Sequence, residues 1–157
     1  MKKRAKWFLG GAAVCGAAAL LINPTLSNPP VAPGSDFMAA HTPPPEIAEM
    51  IRNSCYDCHS HETRWPWYSR VAPVSWWLVD HVNDGREELN FSNWPRDDAR
   101  RAAKMLRGIR DEVEYGTMPL PSYTWGHPKA RLTQAQREQL AAWADEEASR
   151  ISPPNRE

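Results

Sequence analysis

The chain has no surplus of either charge: Lys and Arg together number 19, and so do Asp and Glu. Without a basic excess there is no electrostatic case for a nucleic-acid partner, and without an acidic run there is none for a solvating tail. Cysteine is scarce. Three are present, at positions 15, 55 and 58, which leaves one close pair and no second pair of the kind a thiolate zinc site uses. Strand-like alternation of apolar and polar residues is also missing, and no internal repeat is visible, so the fold class expected is all-α.

The balanced total conceals an asymmetry. Lys2, Lys3, Arg4 and Lys6 precede any acidic residue, so the rest of the chain carries a net −4. Trp7 to Ile22 then runs sixteen residues without a charge. A full membrane span takes roughly 17 to 25 apolar residues and a signal-peptide core about 7 to 15, so this run falls between the two. Cleavage after Ala19 would cut inside the apolar run, whereas an uncleaved anchor with its positive flank inside suits the sequence better. Residues 1–22 are therefore expected as an N-terminal membrane helix, with the remainder exported. Cys15, preceded by Ala12-Ala13-Val14, reads as an ordinary small apolar residue of that helix rather than a lipidated cysteine.

Residues 23–45 hold Pro24, Pro29, Pro30, Pro33, Pro43, Pro44 and Pro45 and little periodic hydrophobicity, the pattern of an extended, semi-rigid linker. His41 within it is expected to be solvated. Four helical stretches follow in residues 46–150. The first starts at Pro45, carries Ile47, Met50 and Ile51, and runs into Cys55. A second, about 74–89, aligns Val74, Trp77, Leu78, His81 and Val82 on a face expected to be buried. A third, about 95–115, lines up Ala99, Ala102, Ala103, Leu106, Ile109 and Val113, with Asp97 and Asp98 in its first turn and Gly116 at its end. The last opens with Thr133 and Gln136 at capping-box spacing and uses Leu140, Trp143 and Ala144 as its inner face until Pro153-Pro154.

Cys55-Tyr56-Asp57-Cys58-His59 is a C-x-x-C-H sequence, the attachment signature of a c-type haem. Two cysteines three apart on one helical turn reach the two vinyl groups of one porphyrin, and the adjacent histidine is then directed at the iron. The expected roles are covalent haem attachment for Cys55 and Cys58 and proximal iron ligation for His59. A thioredoxin-like redox pair would need a strand before it. A disulfide between Cys55 and Cys58 suits an oxidising compartment but leaves His59 unused, and a zinc site lacks its other ligands. The cofactor expected is one covalent haem c. It would also enlarge a core that is thin for about 110 residues, since small domains bury proportionately little surface.

The other axial position decides between electron transfer and chemistry at an open iron. Met118 is the candidate distal ligand: it lies 59 residues after His59, beside Pro119 and close to Pro121, in a loop those prolines stiffen. Its plain alternative is a core methionine. His81 and His127 are rival ligands, the first otherwise a core histidine bonded to backbone or to a propionate. His61 is too close to the proximal ligand to reach the opposite side. Trp65, Trp67 and Trp77, with Tyr68 and Trp76, supply candidate haem-pocket walls, alongside His81. Arg64, Arg70 and Arg86 are either propionate partners or solvated surface charges.

Asn53-Ser54-Cys55-Tyr56-Asp57-Cys58-His59-Ser60, Glu62-Thr63-Arg64-Trp65-Pro66-Trp67-Tyr68 and Val71-Ala72-Pro73-Val74-Ser75-Trp76 stand in close succession. With His81-Val82, Gly85-Arg86, Leu89-Asn90-Phe91-Ser92, Trp94 and Met118-Pro119, they make the chain resemble the bacterial haem-binding domain family related to cytochrome c, over about Pro29 to Ala144. The resemblance implies a small cytochrome c-like domain carrying one covalent haem, exported and tethered to the inner membrane; it carries over no reaction and no redox partner.

The leading expectation is a periplasmic one-electron carrier with His59 and Met118 as axial ligands, exchanging electrons with unidentified partner proteins. One alternative is a haem enzyme or sensor with an open distal site for peroxide or a diatomic gas. Another is a haem subunit of a larger membrane oxidoreductase.

Overall fold

In the computed structural model the described residues are Gly16 and 24–152. The expected membrane helix at 1–22 therefore lies outside them apart from Gly16, as do Pro153 and Pro154. Among the described residues no helix is long and apolar enough to cross a membrane, and every regular element is helical.

Seven α-helices occur in these residues: α1 (Phe37–His41), α2 (Pro45–Ser54), α3 (Tyr56–His59), α4 (Val74–Glu88), α5 (Ala99–Glu114), α6 (Pro121–Gly126) and α7 (Gln134–Ile151), with 3-10 turns at Trp67–Arg70 and Pro128–Ala130. The four long helices are those the periodicity predicts. The third starts later than its pattern: Asp98 accepts the backbone N–H of Arg101 at 2.9 Å and is the N-cap, so helical bonding begins at Ala99. Gly116, with φ +75°, takes the left-handed conformation that follows that helix. Thr133 and Gln136 form the expected capping box.

Helices α5 and α7 make the scaffold. Arg137 of α7 donates to the Val113 carbonyl, Arg110 pairs with Asp145, and Arg107 donates to the Ser152 carbonyl. As one helix rises the other descends, so the pair is antiparallel. Ala102, Ala103, Ala144 and Ala148 are buried between Leu106, Ile109, Val113 and Leu140, and small side chains let the helix backbones approach. Helix α2 adds Ile47, Met50 and Ile51 to the same core.

The proline-rich segment is not a free spacer in its second half. Asp36 caps α1 by accepting from Met38 and Ala39, and Phe37 enters the core against Phe91 and Trp94 at ring separations of 4.9 and 4.7 Å. His41, expected to be solvated, is buried: its side chain is 4% exposed and its Nδ1 lies 2.5 Å from a Glu147 carboxylate oxygen on α7. Composition hides this docking, because one phenylalanine and one histidine among many prolines carry no periodicity, yet they fill a hole in the aromatic cluster that only the folded chain contains.

Candidate functional site

The C-x-x-C-H turn, expected from the sequence to be the attachment turn and so called below, follows directly from α2. Cys55 leaves helical geometry at φ −126°, but its N–H still donates to Ile51, and the N–H groups of Cys58 and His59 donate back to the Cys55 carbonyl at 3.2 and 2.9 Å. The turn from Cys55 to His59 is thus internally bonded, with both cysteines as free thiols. Burial pushes the Cys55 thiol up to about 12, with Cys58 beside it adding to the shift, and burial pushes Cys58 up to about 11.

Helix α4 closes over this turn through Gly85. A β-carbon at that position would lie 2.9 Å from the Cys58 carbonyl oxygen, so only glycine permits the approach. The Gly85 carbonyl accepts from His59 Nδ1 at 2.7 Å, with Leu89 O at 3.2 Å sharing the donor. With the proton held on Nδ1, Nε2 keeps its lone pair, which is the tautomer a metal-ligating histidine needs. Burial moves the His59 pKa down, partly opposed by those two carbonyls, and so favours the neutral ring. Two free thiols three residues apart and an imidazole whose Nδ1 is tied to the backbone, leaving Nε2 unprotonated, form a donor set that fits a haem and its iron.

The loop after the turn is held by polar pins. Arg86 of α4 donates to the Ser60 carbonyl, to Thr63 Oγ1, to the Ser27 carbonyl and to Asn28 Oδ1, all within 2.8 to 3.0 Å. Asn28 in turn donates to the Thr63 carbonyl at 2.9 Å and accepts from Trp65 Nε1 at 3.2 Å. Arg64 is paired with Asp57 at 3.1 Å. Of the three arginines raised as propionate partners, Arg64 and Arg86 are therefore already bonded within the protein, and Arg70 is exposed.

The face of α4 expected to be buried is not. Ser75 and Val82 turn inward, whereas Val74 is 41% and Trp77 49% exposed, and Leu78 and His81 are half-buried. The physical reason is what α4 packs against: it meets the attachment turn and the Trp67–Arg70 turn, not the α5–α7 scaffold. Val74, Leu78, His81 and Gly85 are spaced four, three and four apart, so they form one line along the helix. That line begins at Gly85, against Cys58, and runs outward as an apolar strip. Trp77 packs on His81 at 4.2 Å between rings, and His81 Nδ1 donates to the Trp77 carbonyl at 3.0 Å. Trp67 is 79% exposed and meets Tyr68 edge-on. Trp65 is half-buried. Large exposed apolar side chains such as Val74, Trp77 and Trp67 suit contact with another apolar body.

Met118 is half-buried in the loop between α5 and α6. Its N–H donates to the Glu112 carbonyl at 3.1 Å and its carbonyl accepts from Arg137 at 2.8 Å. His127 stacks on Tyr123 at 4.1 Å, its Nδ1 lies 2.9 Å from the Tyr123 carbonyl, and its Nε2 is 3.4 Å from the Tyr68 hydroxyl. His61 Nε2 accepts from Asn90 at 3.0 Å. Sequence reasoning quoted Asp57 and Gly85 within its motifs without giving either a role, and it passed over Asn28 and Tyr123, which have no spacing signal.

A family model described as a haem-binding domain matches residues 14–146. No curated protein and no solved structure matches the chain.

Proposed function

The chain belongs to the haem-binding domain family, and on that premise we propose that it is a membrane-anchored, periplasmic c-type monohaem protein that carries single electrons between partner proteins. Cys55 and Cys58 hold the haem as thioethers, His59 is the proximal ligand and Met118 the distal one. When bound, the haem supplies a one-electron couple at its iron. The residues of the chain hold that centre still: the Gly85 carbonyl orients His59, and the strip of Val74, Leu78 and His81 with Trp77 gives the porphyrin an apolar wall that excludes water. Water exclusion and thioether ligation both favour the reduced iron and raise its potential. Residues 1–22 act as the anchor, which keeps the carrier at the membrane face where its donors and acceptors are.

The observation that carries this reading is the His59 Nδ1 to Gly85 carbonyl bond of 2.7 Å beside two free thiols. The test is expression of the full chain with a c-type maturation system. Haem that stays with the polypeptide after denaturation, and is lost in a Cys55→Ala, Cys58→Ala double variant, is the expected result; haem extractable into acid butanone would overturn covalent attachment. A weak band at the red end of the ferric spectrum that disappears in Met118→Ala is expected for the distal ligand.

A second reading has an open distal site, and the placement of His81 favours it. Its Nδ1 is occupied by the Trp77 carbonyl, which leaves Nε2 free on the strip that begins at the attachment turn. In that case the ferric iron is high-spin, binds added peroxide or azide readily, and His81→Ala slows the peroxide reaction.

A further inference from the structure

The helix that follows Met118 and the turn that carries His59 are joined by a polar contact between Tyr123 and Asp57. Asp57, between the two cysteines, is buried. Its carboxylate accepts the Arg64 backbone N–H at 3.0 Å, the Arg64 guanidinium at 3.1 and 3.2 Å, and the Tyr123 hydroxyl at 2.7 Å. The same hydroxyl lies 3.4 Å from the Asn53 carbonyl in the last turn of α2. Tyr123 is on α6, and α6 begins three residues after Met118.

The other side of the Met118 loop is fastened to the scaffold. Arg137 of α7 donates to both the Val113 and Met118 carbonyls, at 3.1 and 2.8 Å, and Met118 N–H donates to Glu112. The loop thus has one end on the α5–α7 hairpin and the other on the attachment turn, and on the turn's side the bond from Tyr123 to Asp57 closes it. A hydroxyl donating to a buried carboxylate is a charge-assisted bond, short and directional. Helix α6 has only six residues and no buried side chain of its own, so it has little apolar packing to hold it there.

We infer that Tyr123 is a positioning residue for the distal ligand: its hydrogen bond to Asp57 holds α6 on the haem-attachment turn and thereby fixes the Met118 loop within reach of the iron. This rests on the proposed axial role of Met118. A ligand held in its binding position competes well against an added one, and a ligand whose loop is only partly in place loses affinity by that fraction.

The test uses the full chain matured with haem, as wild type, Tyr123→Phe, Asp57→Asn and Met118→Ala. Phenylalanine keeps the ring that stacks on His127 and removes only the hydroxyl. Imidazole is titrated into the ferric protein while the red-end band is followed, and backbone amide exchange is measured over residues 115–127. In Tyr123→Phe the imidazole midpoint should fall roughly tenfold, the value of one charge-assisted bond, exchange in that segment should quicken, and haem content should stay at the wild-type level. Asp57→Asn should move the first two in the same direction. Unchanged exchange in Tyr123→Phe overturns the inference whatever Met118 does. Faster exchange with an unchanged imidazole midpoint also overturns it, since α6 would then be held without bearing on the ligand. A spectrum insensitive to Met118→Ala defeats the axial reading itself, and the inference with it, by a result separate from the other two.

Discussion

Along the α5–α7 hairpin, Leu106, Leu140, Ala103, Ala144 and Ala148 are fully buried and cohesion comes from apolar packing. Around the attachment turn the balance is reversed: Val74, Trp67 and Trp77 are exposed, and Arg86, Asn28, Asp57, Arg64 and Tyr123 hold the backbone by hydrogen bonds and an ion pair. One half of the molecule is held by its own apolar core. The other is built to hold a shape around something apolar, and polar pins suit that task because they fix direction while leaving apolar surface free.

The sharpest way to break this contrast is to cut into the scaffold. Leu106→Ala should cost about 3 kcal/mol in chemical denaturation, from lost transfer energy and a cavity, and the cost should be equal with and without haem. A cost confined to the haem-loaded form would mean that the hairpin is not an independent support.

Two helical glycines test the attachment half. Gly85→Ala puts a β-carbon 2.9 Å from the Cys58 carbonyl and should cost about 2 kcal/mol and lower the haem content read from the pyridine spectrum. Gly108→Ala, in α5, meets nothing within 4 Å and should stabilise by about 0.5 kcal/mol through helix propensity alone. Opposite signs for the same substitution would locate the tight contact at the attachment turn.

A pH-dependent effect is expected at Glu147, where α1 joins the scaffold. The Arg150 guanidinium, and after it His41, hold the Glu147 carboxyl below its ordinary 4.5. The unfolded chain therefore takes up this proton first, so the stabilisation is present above pH 4.5 and is lost as pH falls through the lower folded value. Glu147→Gln should remove about 1 kcal/mol at neutral pH and flatten the fall in stability below the ordinary carboxyl value of 4.5. A profile identical to wild type would mean the ion pairs at this junction contribute nothing.

The long helices were legible because their cores repeat. Ile47, Met50 and Ile51, or Ala102, Leu106, Ile109 and Val113, announce a face at helical spacing, and Thr133 with Gln136 announces a cap. Cys55, Cys58 and His59 stood out as candidates because a C-x-x-C-H pattern is set by neighbours in the chain, and the structure brings them onto one turn. Short elements were not: α1 and α6 have five and six residues, too few for periodicity to register. The orientation of α4 was misread because spacing tells which residues share a face but not what that face meets.

By itself, then, the sequence determined the all-helical class, the existence and approximate extents of the four long helices and the C-x-x-C-H pattern on which the haem proposal rests, all of which depend on residues within a few turns of one another. Only the tertiary structure decided that His41 is buried, that Gly85 lets α4 close over Cys58, that His59 has its Nδ1 committed to a carbonyl 26 residues away, and that Tyr123 reaches Asp57 across 66 residues. Those contacts join residues with no regular separation along the chain, and they exist only once the scaffold has brought distant turns to hydrogen-bonding distance.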